Sequence, residues 1–216
     1  MPKRPIKQGE TVPRIAAEVR AERWEDVWEA GENAELKKKY DPCVLPPDKE
    51  IFVPDVKPLT HTLATGKRHR IVINRPKLSL AVVLQKFFGE ALTATKGTLV
   101  CDGKEISVTP DGEGRISVRI PVMTSFAELQ FPSPNDGQKK MTIGMGVGRL
   151  DPSDSVSGWR GRLLNLGYPV KFDDGRDDDE TCLRLAIEEF QCEHALKVTG
   201  ERDDATRAKL VEIHGS

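Results

Sequence analysis

The chain has 216 residues, of which 38% are apolar and 31% charged, and a formal net charge of −1. That apolar share supports several small cores rather than one large one, and no stretch approaches the roughly 20 apolar residues of a membrane span, so a bilayer is not an expected partner. The near-zero net charge hides an uneven distribution. Residues 1–57 carry 11 basic and 12 acidic side chains, residues 58–150 carry 13 and 7, and residues 151–216 carry 9 and 15. A swing of this size reads as separate units. The expected organisation is α+β and multidomain: a first domain at 1–57, a linker at 58–68, a second domain at 69–150 and a third at 151–216.

The first domain reads as strand, helix, helix, strand. Gly9-Glu10-Thr11 forms a turn into a helix, with Thr11 as N-cap and Pro13 in the first turn, where its missing N–H is not needed. Ile15, Ala16 and Val19 supply one apolar face. Trp24, Val27 and Trp28 fall at i, i+3 and i+4 of a second helix over 24–30. A polar connection follows from Asn33, stiffened by Pro42, Pro46 and Pro47, and Ile51-Phe52-Val53 forms a short strand closed by Pro54.

Residues 69–150 switch to a period of two. Strands are predicted at 69–73, 78–84, 93–100, 105–109, 115–120, 127–131 and 141–147. Asp102-Gly103 and Asp111-Gly112 are hairpin signals, so a small antiparallel β-sandwich is expected. Residues 151–216 return to helix. A helix over 156–166 ends at Gly167, a polar acidic loop covers 171–180, and two more helices run over 181–194 and about 204–213. Leu210 and Ile213 are expected to point inward in the last.

The first domain resembles the LysM family. The matching residues are Ile6-Lys7-Gln8-Gly9-Glu10-Thr11-Val12, then Ile15-Ala16, the tryptophan helix and Asn33, and finally Leu45-Pro46-Pro47-Asp48-Lys49-Glu50-Ile51-Phe52-Val53-Pro54. The resemblance implies a βααβ module that binds N-acetylglucosamine-containing glycans in a shallow groove between two loops. Carried over, one loop is Gly9, Glu10, Thr11 and Val12, and the other is Leu45, Pro46, Pro47 and Asp48. Val12-Pro13 and Pro47 depart from the family pattern.

The third domain resembles the three-helix peptidoglycan-binding domain. The match runs through Arg162-Leu163-Leu164-Asn165-Leu166-Gly167-Tyr168, Ala186-Ile187, Phe190-Gln191, Leu196, Val198-Thr199-Gly200, Thr206 and Leu210. The family has glycine where this chain has His194-Ala195. Leu163, Leu166, Ile187, Phe190 and Leu210 are core positions whatever the module binds. The hairpins around 99–104 and 109–114 resemble those of transthyretin-like sandwiches. The combination looks like accessory proteins of contractile injection systems and phage tails.

Motifs for catalysis and metals are sparse. The four histidines are scattered, and no G-x-S-x-G, H-E-x-x-H or P-loop occurs. The run 173–180 lacks the alternation and final glutamate of a calcium loop and reads as a solvated helix cap. Gly144-Met145-Gly146-Val147-Gly148 lacks the Lys-Ser/Thr and following helix of a phosphate loop. Cys182 and Cys192 on one helix would stand roughly 15 Å apart, too far for a disulfide. Trp24 and Trp28 read as core rather than sugar platforms. The basic middle domain lacks interleaved aromatics for nucleic acid.

The expected function is therefore non-catalytic peptidoglycan binding, with no metal and no cofactor. It would target a partner or an injection apparatus to the cell wall. The alternative is a structural adaptor that contacts a spike, baseplate or effector protein. Met1–Lys7 leads into no apolar run, so a cytoplasmic location is expected, with delivery by a secretion apparatus if the target is a wall.

Overall fold

A computed structural model describes residues 3–55, 62–70, 76–85, 90–93, 95–133, 139–170 and 179–215. The protein is mixed α+β, and its residues group into two units: 1–43 with 48–149, and 44–47 with 150–216. The first and middle sequence regions share one unit.

In the first unit, β1 (Arg4–Pro5) pairs antiparallel with β2 (Glu50–Ile51). Between them lie α1 (Val12–Glu18) and α2 (Trp24–Trp28), which pack together. Ile6, Val12, Ile15, Ala16, Val27, Trp28, Ile51 and Val53 are buried, while Trp24 and Val19 are half-buried. The connection after Asn33 was expected to be polar. It holds a third helix, α3 (Ala34–Lys39), with Glu35 in its first turn and Lys37–Lys39 in its last. That charge order suits the helix dipole, but no residue of α3 is buried, so no apolar stripe announces it.

Asn33 itself is fully buried. Its amide donates to the carbonyls of Val27 and Phe52, and its carbonyl accepts from the Phe52 N–H, each at 2.8 Å. One side chain thus ties the end of α2 to the residue following β2.

The rest of this unit is two sheets. β3 (Lys77–Val83) pairs with β6 (Arg115–Pro121), and β5 (Lys104–Val108), β4 (Gly97–Cys101), β7 (Phe126–Pro132) and β8 (Lys140–Gly146) form a four-stranded antiparallel sheet in that order. Alternate residues point inward, so Leu99, Cys101, Ala127, Leu129 and Phe131 of one sheet share a core with Ile116 and Ile120 of the other. Cys101 pairs with Lys104, leaving Asp102-Gly103 as a two-residue loop with φ of 50° and 73°. Those values are the left-handed pair that a tight hairpin requires.

Asp111-Gly112 behaves differently from the expected hairpin. β5 and β6 belong to different sheets, so this turn carries the chain across the core. Asp111 shapes it by accepting from the N–H groups of Glu113 and Arg115, both at 2.9 Å, and these bonds hold its carboxyl below the usual range. Of the strand expected at 69–73, residues 71–73 lie outside the described residues, and His69 and Arg70 are not in a strand. Residues 56 and 57 at the end of the expected first domain and 58–61 of the expected linker also lie outside the described residues.

The second unit contains α4 (Val156–Asn165), α5 (Asp179–Glu193) and α6 (Asp204–His214). Ser155 and Asp203 cap α4 and α6 by accepting from Gly158 N–H and Thr206 N–H. Gly167, at φ 95°, ends α4 as expected of a C-terminal glycine. Trp159, Leu163, Leu183, Ala186, Ile187, Phe190 and Leu210 form the core. Two expectations need correction: Leu166 is only partly buried and Ile213 is exposed. Residues 171–178 of the acidic loop lie outside the described residues.

Gln191 is fully buried in the middle of this unit. Its carbonyl accepts from the N–H groups of Thr199 (2.8 Å) and Gly200 (2.9 Å), and its amide donates to the hydroxyls of Thr199 (3.0 Å) and Thr206 (2.9 Å). It therefore fixes the Val198-Thr199-Gly200 turn between α5 and α6. Replacing Gln191 by leucine strands two backbone donors, each costing about 1–3 kcal/mol when buried. Gln191→Leu should lower the unfolding free energy of this unit by about 3 kcal/mol, read from the urea midpoint at unchanged m. A shift below about 1 kcal/mol would contradict this role for Gln191.

Candidate functional site

The Gly9–Val12 loop joins β1 to α1. Gly9 adopts φ 78°, a value that suits glycine. Thr11 is the N-cap of α1 and its hydroxyl accepts from Arg14 N–H at 3.3 Å. Its exposure is 3%, and that of Val12 is 0%. The backbone is engaged as well: Glu10 N–H donates to Lys7 C=O, Val12 N–H to Pro42 C=O, and Thr11 C=O accepts from Ile15 N–H.

Glu10 is also committed. One carboxylate oxygen meets the Arg4 guanidinium and the other accepts from Lys7 N–H at 2.9 Å. Arg4 reaches Glu18 as well, at 3.2 Å. Burial works against the Arg4 charge, and the bonds to Glu10 and Glu18 outweigh it, holding its pKa above the ordinary value.

The turn after β8 lies against this loop. Gly148 has φ 73°, and a Cβ added to it would stand 3.2 Å from Gly9 O and 3.4 Å from the Thr11 methyl. A side chain there needs a left-handed backbone and a shift of its neighbours by a few tenths of an ångström. A Cβ at Gly9 would meet Arg149 Cγ at 3.6 Å and Gly148 O at 3.7 Å. The 144–148 glycine run therefore has a structural use: its last member permits close approach of two backbones.

Beside the contact is a polar cleft of about 320 Å³, lined by Lys7, Gln8, Gly9, Glu10, Arg14, Glu18, Ser125, Val147 and Arg149. Arg14 donates to Gly9 O at 3.5 Å and to Met123 O at 3.4 Å, both at the long limit. None of the ion pairs among the described residues includes Lys7, Arg14 or Arg149.

Of the second expected loop, Leu45 and Pro46 are buried, while Pro47 and Asp48 are exposed. Residues 44–47 group with the second unit and Gly9–Val12 with the first. The eight residues expected to frame one groove are thus not brought together within a single unit. Lys7, Arg14 and Arg149 were not singled out from the sequence. Arg149 is 135 positions from Arg14, and no local pattern marks them as neighbours.

Comparison of the chain with protein-family models, with curated proteins and with solved structures returned no match. Among the described residues, no group of three or more His, Cys, Asp or Glu side chains could hold a metal ion, and no helix is long and apolar enough to cross a membrane.

The Thr11 hydroxyl serves the helix. Thr11→Ala should lower stability by about 1 kcal/mol, whereas Thr11→Ser should keep most of it. Chemical denaturation of the two variants checks this, and equal losses would argue against a capping role.

Proposed function

We propose that the chain is a non-catalytic structural adaptor. In this reading its LysM-like, sandwich-like and three-helix peptidoglycan-binding-like folds serve protein–protein assembly. A spike, baseplate or effector protein of a phage-tail-like or injection apparatus is the partner class implied by the resemblances. The observation that supports it is the state of the Gly9–Val12 loop. The groups expected to meet an amino sugar are spent on the chain's own backbone and side chains, and the Gly148 turn lies on the same loop. A ligand at that loop would have to displace the turn and leave buried polar groups without partners.

A second reading is peptidoglycan binding. It is favoured by the resemblance of the two ends of the chain to wall-binding families and by the exposed Pro47-Asp48 corner. Weak sites on one chain would then act through effective concentration.

Incubation of the full chain with purified insoluble peptidoglycan separates the two. The adaptor reading expects recovery in the pellet no higher than for an unrelated protein and no change in sacculus turbidity. Retention that N-acetylglucosamine oligomers compete away would sink it in favour of wall binding, and clearing of the suspension would sink the non-catalytic assignment.

A further inference from the structure

We propose that the cleft beside Gly9 receives an acidic, extended segment of the protein partner, held through its carboxylates by Lys7, Arg14 and Arg149. This inference rests on the adaptor reading and names the chemistry of the partner.

The charge count within the cleft carries the argument. It contains two carboxylates, Glu10 and Glu18, and both are engaged by Arg4; Glu10 additionally accepts from a backbone N–H. The three cations form no ion pair among the described residues, so with Arg4 the site holds four positive and two negative side chains. Three positive side chains around one concavity repel one another, and an incoming anion relieves that repulsion. Two of the three are arginines, whose planar forks match carboxylates with two parallel hydrogen bonds. Both lie near Gly9: Arg14 Nη1 is 3.5 Å from Gly9 O, and Arg149 Cγ is 3.6 Å from where a Gly9 Cβ would stand. They come from α1 and from the turn after β8, so the contact described above is what puts them on one cleft.

A free inorganic anion fits less well. Sites for phosphate draw on unpaired backbone N–H groups. The N–H groups of Lys7 and Glu10, two of the lining residues, are already bonded. Arg149 and Lys7 are exposed, as suits side chains that meet a macromolecular surface. The volume of about 320 Å³ admits several acidic side chains rather than one ion.

The test titrates the full chain with amidated hexaglutamate at low ionic strength, followed by calorimetry, with hexaglutamine and inorganic phosphate as comparison ligands. The variants are the pair Arg14→Gln with Arg149→Gln, the single Lys7→Gln, and a control pair, Lys104→Gln with Arg119→Gln, on exposed strand positions. Urea midpoints establish that each variant folds. Hexaglutamate should bind and hexaglutamine should not, with affinity falling as ionic strength rises from about 0.05 to about 0.3 M. The arginine pair should weaken binding roughly ten-fold or more, Lys7→Gln about three-fold, and the control pair less than two-fold. Should the arginine pair fail to fold, Lys7→Gln alone decides. Absence of hexaglutamate binding, equal loss in the control pair, or phosphate binding as tight as hexaglutamate overturns the proposal. The adaptor reading falls separately, by retention on peptidoglycan. Retention that depends on Arg14 would sink both, by assigning the cleft to a wall ligand.

Discussion

Two glycine backbones meeting at close range set the character of the first unit. Gly9 and Gly148 both occupy the left-handed region, and no Cβ fits at Gly148 without pressing on Gly9 O or the Thr11 methyl. Glycine loses more conformational freedom on folding than any other residue, so two ordered glycines in one contact carry an entropic cost. What they permit is a join between the helical part and the sheet part tight enough to bring the Gly148 turn onto the Thr11 methyl. Three consequences follow. Thr11 is buried beside the Gly148 turn, the N-terminal region and the sheets share one unit, and cations distant in sequence line one cleft.

The interior polar residues are arranged on a common plan. Asn33 in the first unit and Gln191 in the second each satisfy backbone groups that a turn leaves without partners. Arg162 is a third case, fully buried and donating from Nη1 to the carbonyls of Asp151 and Gly158, both at 2.9 Å. Burial lowers its pKa, and the nearby Asp151 opposes that shift. These side chains act as fixed spacers between helices and turns, where an apolar residue of the same size would leave donors and acceptors unpaired. Tyr168 follows the same logic: burial and a 2.6 Å bond to Glu193 keep its phenol protonated far above the ordinary range.

Much of the local structure was legible in the sequence because its causes are local. Thr11, Gly167 and the Asp102-Gly103 pair act through their own backbone geometry, and each sits where the residue type demands. Alternation in 97–101 and 126–132 reports burial directly, because a strand between a core and solvent has no other way to satisfy both faces. Failures have equally physical origins. α3 has no apolar face, so periodicity could not reveal it. Asp111-Gly112 carries a turn signal, but whether the flanking strands pair or separate is decided by the sheets they join. The cleft was invisible because Lys7, Arg14 and Arg149 are brought together by a tertiary contact with no linear trace.

The account depends most on the Gly148 turn resting against the Gly9 loop in solution. The direct measurement is the nuclear Overhauser effect between the Gly148 α-protons and the Thr11 γ-methyl in the isotopically labelled full chain. Packing of this kind predicts a strong cross-peak, because a Cβ at Gly148 would lie 3.4 Å from that methyl. A missing cross-peak, with both resonances assigned and sharp, would mean that the loop stands open, and the adaptor reading would lose its support.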